Sequence, residues 1–335
     1  MTEGHAAESY RMPPQTSLNG LLLMKRDEVA RKAPRAGSLL SKLATLSKVY
    51  YRCPWLPAQE WVWENWVRPY LLWRPLTLRT RTLFGAQILC TLSNSLHARI
   101  YFFGLWEPAI TSYVASRLKP GDIFIDIGAN IGYYSLLASR RVGHDGRVFA
   151  YEASPSVFDQ LRKNLSLNRA SNVTARNVAI TAQRCKVPIY VNKERMGEST
   201  ILAGVAEKID ARLEANVAGH PLGDLLSSDT ICAARFIKID VEGAEWLVVK
   251  GIQELIPTFS DRTEIIIEIN TSSVYALGSS INHLLGLFTK AGFSAFEINN
   301  SYELGAYIRR DRPHLTAYDD KPFVRKDFVL KRDHT

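Results

Sequence analysis

Residues Asp122 to Gly132 read D-I-F-I-D-I-G-A-N-I-G, and this stretch decides the fold. Ile123, Phe124, Ile125 and Ile127 make a short apolar run, rich in branched and aromatic side chains, as expected of a parallel strand covered on both faces. Gly128 ends the run. Small residues at Gly128, Ala129 and Gly132 permit a sharp turn and let a bulky ligand lie against the main chain without meeting a Cβ. A helix is expected next, and its first amide N–H groups, which lack intrahelical partners, can hold a polar part of that ligand. The dinucleotide fingerprint G-x-G-x-x-G fails here, because counting from Gly128 puts Asn130 and Tyr133 where the second and third glycines belong.

Spaced signals extend the pattern downstream. Tyr133 to Arg141 reads as a helix, and Val148 to Tyr151 as a second strand ending in Glu152. That acid stands 20 residues past Gly132, the spacing at which a carboxylate on the next strand tip accepts bonds from ribose hydroxyls. Ser154 and Pro155 open a further helix with Val157, Phe158, Leu161 and Leu165 on its buried face. Asn172 to Ile180 is expected to be the third strand, with Asn177 near its end in reach of a cofactor's base. Phe236, Ile237 and Ile239 form another buried strand, running into Asp240-Val241-Glu242-Gly243-Ala244-Glu245. Ile265 to Ile269 is a fifth, finishing at Glu268 and Asn270. A helix over Ile281 to Lys290, a strand over Phe293 to Ile298 and a last strand over Phe328 to Lys331 complete an alternating α/β chain.

Length, charge and cysteine bound the rest. A chain of 335 residues accommodates one large α/β domain plus an extension, and the expected division is residues 1–75 and 76–335. Cys53, Cys90, Cys185 and Cys232 form no C-x-x-C pair and have no histidine at ligand spacing, so neither a disulfide framework nor a zinc site is indicated and a reducing cytoplasm is the plain expectation. The net charge of +9 is uneven: residues 1–120 hold 16 Lys and Arg against 7 Asp and Glu, and the remainder holds 26 against 26. Such a basic segment can meet nucleic acid, an anionic membrane or an acidic substrate. Pro, Ser, Gly and charges interspersed over residues 1–45 read instead as a solvated leader.

From Trp55 to Trp73 five tryptophans fall in nineteen residues. Trp63, Trp66, Val67 and Tyr70 recur at helical spacing, with Pro69 expected to end or kink the helix. Packing against the main domain is the first reading of this stripe, a wall over the substrate the second, and an interfacial membrane helix the third. Ile88 to Leu92 and Ala98 to Phe103, on either side of Ser93-Asn94-Ser95, read as a hairpin. Residues 184–229 are harder to read: Val187 to Val191 looks like a strand, Arg195 to Thr200 like a loop, and Glu207 to Leu213 like a helix or strand.

Taken together, Asp126, Gly128, Asn130 and Gly132 resemble the D-x-G-x-N/G-x-G first motif of class I S-adenosylmethionine (SAM) dependent methyltransferases. In order and spacing, F-I-D-I-G-A-N-I-G-Y-Y-S-L, V-F-A-Y-E-A-S-P, R-K-N-L-S-L-N, F-I-K-I-D-V-E-G-A-E-W-L-V-V-K-G and I-I-I-E-I-N resemble the FkbM family, over about Phe103 to Leu330. The resemblance implies a Rossmann-like, seven-stranded doubly wound sheet with a reversed last strand, and O-methylation of small molecules, sugars or lipids. It also implies that Asp126, Gly128, Asn130 and Gly132 line the methionine end of the cofactor and Glu152 holds its ribose. Tyr151 and Ala153 flank that acid where the family more often has Phe-Glu-Pro.

Methyl transfer to oxygen requires an aligned hydroxyl and a group to take its proton. Asp240 is the first choice of base, with Glu242 and Lys238 in support, because ligands of open α/β sheets bind outside the carboxyl ends of the strands. The same acids also suit a helix cap. A divalent cation on Asp240, Glu268 and Asn270 has suitable oxygen ligands, but no metal is assigned. Two other readings stay open, a nucleic-acid methyltransferase and a SAM-binding scaffold without activity. The first lacks N/D-P-P-Y/F at residues 240–243. Expected partners are therefore a small-molecule, sugar or lipid acceptor and no stable nucleic acid, with the N-terminal segment a candidate for peripheral membrane contact.

Overall fold

A computed structural model describes residues 37–192, 199–201, 206–207 and 210–332. Most of the basic leader and residues 193–198 of the expected loop lie outside the described residues. Ala44–Thr335 is one compact unit.

Strands β1 (Thr77–Arg81) and β2 (Gln87–Thr91) pair antiparallel in a two-stranded sheet. The main sheet contains β3 (Ile123–Ile127), β4 (Arg147–Glu152) and β5 (Val173–Asn177). A small second sheet follows, formed by β6 (Ala179–Ile180), β7 (Cys185–Val191), β8 (Ser199–Thr200) and β9 (Arg212–His220). The chain then returns to the main sheet through β10 (Phe236–Ile239), β11 (Glu264–Asn270), β12 (Ser294–Ile298), β13 (Leu315–Ala317) and β14 (Arg325–Lys331). Sheet order is β13-β12-β14-β11-β10-β3-β4-β5.

Strands β3, β4, β5, β10 and β11 run parallel, while β14 is antiparallel to both β11 and β12. The reversed last strand is present. The expected seven strands become eight, because the three-residue β13 pairs antiparallel with β12 at the edge. From β3 the chain first walks outward through β4 and β5, then restarts on the other side at β10, so the order reverses beside β3. Such a reversal leaves a crevice above the carboxyl ends of the strands.

The helices are α1 (Gly37–Tyr51), α2 (Ser95–Phe103), α3 (Pro108–Arg117), α4 (Tyr133–Val142), α5 (Pro155–Asn168), α6 (Glu245–Ile252) and α7 (Ile281–Thr289), with shorter turns between them. Every residue of β10 is buried, as are the first six of β11, so these covered parallel strands read as apolar runs interrupted by the buried Lys238, Glu264 and Glu268. Ser154 caps α5 by accepting a hydrogen bond from the Val157 amide.

One expectation upstream is corrected and another is met. The hairpin lies one element earlier, joined through Gly85 at φ 89°. Ser93-Asn94-Ser95 instead starts a helix, where Asn94 Oδ1 accepts a hydrogen bond from the His97 amide at 2.9 Å. The apolar run Ala98 to Phe103 carried no period to separate the two readings; the Asn cap decides it. The Trp-rich helix is distorted and stopped at Pro69 as expected: a π-helical turn over Trp63–Val67, where the Arg68 amide reaches back to the Trp63 carbonyl, precedes it, and the helix ends at Tyr70. The widened turn absorbs the misfit of a residue with no N–H to donate. Gln59, Trp63, Val67 and Leu71 consequently recur every four residues as its buried stripe. Trp63 meets Tyr51 and Phe102 edge-to-face with ring centroids 5.5 Å apart in each case, which fastens this stretch to α1 and α2.

Of the uncertain segment from Glu207 to Leu213, residues 208 and 209 lie outside the described residues and Arg212 and Leu213 open the long strand β9, while the expected third strand breaks at Val178 into β5 and β6.

Candidate active site

A cleft of about 1100 Å³ of empty space, part of it open to solvent, lies above the carboxyl ends of β3, β4 and β10. Asp126, Gly128, Asn130, Glu152, Lys238, Asp240, Glu242 and Glu268 all line it. Gly132 and Asn177 do not line it.

On one side stand the two acids at the tips of neighbouring strands. Asp126 is 1% exposed. Its Oδ2 accepts a hydrogen bond from Ser135 Oγ at 2.5 Å, while its Oδ1 is buried and accepts none. Burial pushes the Asp126 carboxyl up, against the pull of Lys238 opposite it in the β3–β10 register. Glu152 Oε2 accepts from the Asn130 amide at 2.8 Å and Oε1 from the Ser154 amide at 2.9 Å. Burial raises Glu152 to about 7 even though those two N–H groups favour the carboxylate. Asn130 holds a left-handed conformation, φ 50°, and its Oδ1 accepts from the Ile131 amide. Asn tolerates that region through such local bonds.

The glycines also serve the packing of the fold itself. A Cβ on Gly128, at φ 85°, would lie 1.7 Å from the Asp240 carbonyl oxygen; a Cβ on Gly132, at φ 87°, would lie 2.5 Å from Leu161 Cδ1. Both make room for the protein's own chain, Gly128 for the end of β10 and Gly132 for α5. Asn177 is also corrected: its amide donates to the Glu152 and Ala153 carbonyls at 2.8 Å each, bracing the turn after β4 rather than facing a ligand.

The opposite side is dense with charge. Lys238 Nζ lies 2.7 Å from Asp240 Oδ2 and 4.7 Å from the centre of the Tyr134 ring. Burial alone would lower its pKa, but Asp240, Glu107 and Asp126 outweigh it and keep the ammonium charged. Glu242 is left-handed, φ 51°. Glu245 Oε1 accepts from the Gly243 amide, closing the turn into α6, and its buried Oε2 accepts nothing.

Behind this pair the sequence reading missed a wall built from distant segments. Glu107 accepts from the Tyr134 hydroxyl at 2.7 Å and from the Tyr302 hydroxyl at 2.8 Å. Arg325 Nη2 lies 2.6 Å from Glu268 Oε2. Asn300 Nδ2 donates to Asp327 Oδ2 at 2.8 Å, and Trp106 lies against Tyr302 with ring centroids 5.3 Å apart. Carboxylate oxygens of Glu107, Glu268 and Asp327 come within 4.8 Å of one another. Burial, then Asp240, Asp327 and Glu242, raise Glu268 to about 10 despite Arg325. Burial and Glu107 raise Asp327 to about 7. Burial and the mutual repulsion of these acids thus both disfavour their charged forms, with Arg325 opposing that at Glu268.

Asn270 is not part of the trio considered with Asp240 and Glu268. Its Oδ1 accepts from the Ser272 amide and hydroxyl, capping the short helix Thr271–Ala276. A sequence signal for the missed wall existed in R-K-D-F-V-L-K, where period-two alternation puts Arg325 and Asp327 on one face; the β11–β14 register sets Asp327 opposite Glu268. Glu107 carried no such signal.

The site can therefore bind a cationic group at Asp126, hydroxyls at Glu152 and a polar acceptor beside the Lys238–Asp240 pair. Residues 126–295 match the family described as the methyltransferase FkbM domain. The chain is 27% identical over 168 residues to methyltransferase sdnD of Sordaria araneosa, an alignment covering 42% of this chain and 64% of that protein. It is 28% identical over 171 residues to the 31-O-demethyl-FK506 methyltransferase FkbM of Streptomyces tacrolimicus, covering 41% and 62%. Both alignments thus span less than two thirds of the relative. Among solved structures, a precorrin-6y C5,15-methyltransferase from Geobacter metallireducens superposes with a TM-score of 0.38 at 16% identity, over 67% of this chain and 85% of that one. With the family match covering half of its length, this chain belongs to the FkbM methyltransferases.

Proposed function

We propose that this protein is a SAM-dependent O-methyltransferase acting on a hydroxyl of a small-molecule, sugar or lipid acceptor. The observation that carries the reading is the pair Asp126 and Glu152, buried acids on adjacent parallel strand ends facing one cleft. The buried, unpartnered Asp126 Oδ1 fits an ammonium donor. Glu152, after accepting two amide N–H groups, keeps lone pairs for ribose hydroxyls. Oxygen as the methylated atom is supported by the relative whose name specifies a 31-O-demethyl substrate.

Bound SAM would supply an electrophilic methyl group on a sulfonium centre. Asp240 orients the acceptor hydroxyl and takes its proton as the oxygen–carbon bond forms. Its Oδ2 is engaged by Lys238, which leaves Oδ1 for the hydroxyl. The Lys238 ammonium fixes the Asp240 rotamer, and so the direction in which its free oxygen faces the hydroxyl. Glu107, Tyr134 and Tyr302 brace this end of the cleft through their hydrogen bonds.

Titration calorimetry with SAM, alongside labelled-methyl transfer into cell extract sorted by glycan, lipid and RNA fractions, tests the reading. Asp126→Ala and Glu152→Ala should each weaken SAM binding at least tenfold, about 1.4 kcal/mol. Asp240→Asn should bind SAM normally and lose about 100-fold or more in turnover. Full turnover by Asp240→Asn would remove the base, and a melting temperature unmoved by saturating SAM would remove the cofactor.

A further inference from the structure

Beyond the Lys238–Asp240 pair, the end of the cleft is lined by Leu96, Trp106, Glu107, Glu268, Tyr302 and Arg325. Two kinds of surface meet there. Leu96 and Trp106 are half-buried and line the cavity, so part of an indole and of an aliphatic side chain faces it. Beside them the polar groups form one connected set. The Tyr302 hydroxyl donates to Glu107 at 2.8 Å and accepts from Arg325 Nη2 at 3.0 Å, and that nitrogen also lies 2.6 Å from Glu268 Oε2.

These surfaces select the shape of an acceptor. A wholly apolar molecule lying over the connected set would cut carboxylate and guanidinium groups off from water and offer them no hydrogen bond in exchange, which is unfavourable for each group covered. A ring with hydroxyls around its rim and C–H bonds on its face suits both surfaces. Each hydroxyl donates and accepts, so it extends the set, while the C–H face lies against the indole.

Charge narrows the choice further. Among the described residues, Glu107, Asp240, Glu242 and Glu268 line this end against Lys238 and Arg325. Both cations already lie against a carboxylate, at 2.7 and 2.6 Å. Burial and neighbouring acids push Glu268 up even with Arg325 beside it, so the positive charge present falls short of what the protein's own carboxylates take up. A carboxylate or phosphate on the acceptor would meet like charge at close range.

We propose that this end of the cleft is an acceptor subsite for an uncharged, polyhydroxylated ring of the sugar class, laid on Trp106 with its hydroxyls among Glu107, Glu268, Tyr302 and Arg325, and that it turns away the same ring carrying a carboxylate or phosphate. That subsite rests on the O-methyltransferase reading, which sets the methyl donor on the Asp126 and Glu152 side and leaves this side to the acceptor.

The test titrates the full chain with methyl glucoside, methyl mannoside and methyl galactoside, each beside its uronate and its phosphate ester, and reads binding by saturation-transfer NMR. At least one neutral glycoside should bind, with its uronate and phosphate ester at least about tenfold weaker. Trp106→Ala should weaken the neutral glycoside about tenfold with unchanged circular dichroism. Glu242→Gln should strengthen the uronate about threefold relative to its neutral parent, because one like charge is gone. Binding of no neutral glycoside, a uronate or phosphate ester held as tightly as its parent, or a glycoside held equally by Trp106→Ala would overturn the assignment. Calorimetry with SAM on the same protein separates the two readings. SAM bound and glycosides refused removes this subsite alone, whereas glycosides bound and SAM refused removes the methyl donor and leaves a sugar-binding cleft.

Discussion

Replacing Lys238 by Met tests the electrostatics of the cleft most directly, because Met keeps the stem and removes only the charge. Lys238 is 4% exposed and its ammonium is held by Asp240 at 2.7 Å, with Asp126 and Glu107 also pulling on it. Removing one partner of a buried pair costs roughly 3–5 kcal/mol, since the other charge is left uncompensated. Asp240 is 24% exposed at its side chain, so water takes part of the load and the lower end, about 3 kcal/mol near pH 8, is expected. The deficit has a sign in pH. Without the ammonium the buried Asp126 carboxyl, already raised, loses the charge that pulls it down, and an acid with a raised folded pKa favours folding at low pH and loses that contribution as pH rises through it. Lys238→Met should therefore be closest to wild type near pH 5 and furthest from it near pH 8. Urea unfolding at both pH values measures this, with unchanged m-values as the control. Adding Asp240→Asn to Lys238→Met should recover about 1 kcal/mol or more, because the orphaned charge is gone. A cost under about 1 kcal/mol, or one independent of pH, would refute the pairing as the organising interaction.

Three further substitutions probe the turns of the cleft, one of them as a control outside it. Gly128→Ala should cost roughly 3 kcal/mol or more, since a Cβ there meets the Asp240 carbonyl oxygen at 1.7 Å. Gly121→Ala, equally left-handed with nothing within 4 Å, should cost only about 1–2 kcal/mol, and equal denaturant midpoints for the two would show that the close approach is unimportant. Burial raises Glu245 from 4.5 to about 7, so its ionisation opposes folding increasingly as pH rises from about 4.5 through 7. Glu245→Gln should be near neutral at pH 5 and stabilising by about 2–3 kcal/mol at pH 8; a melting temperature that falls at pH 8 would contradict this.

The stretch Asp122 to Gly132 and the strand tips at Glu152 and Asp240 were legible because each rests on local chemistry: an apolar run, a turn that only small residues complete, an acid at fixed spacing. The resemblance to FkbM methyltransferases rested on the same local features, and the sheet order followed with its reversed last strand. Where neighbours in space outweighed neighbours in sequence, the reading strayed. Asn177 looked placed for a ligand but braces two carbonyls, and Gly132 admits Leu161. Asn94 turned a presumed hairpin into a helix through a single cap.

The wall behind the Lys238–Asp240 pair was almost wholly out of reach of sequence reasoning, the alternation of Arg325 and Asp327 being its one local trace. Trp106 and Glu107 precede the family match and Tyr302, Arg325 and Asp327 follow it, so no motif spacing relates them. They meet because α3 and β14 close on the same end of the sheet, and their protonation is set by burial among one another. Spacing along a chain can specify a turn and the acid beside it, since both depend on a few consecutive dihedrals. The charge environment of a cleft depends on which side chains share it, and that is decided only when the sheet has assembled.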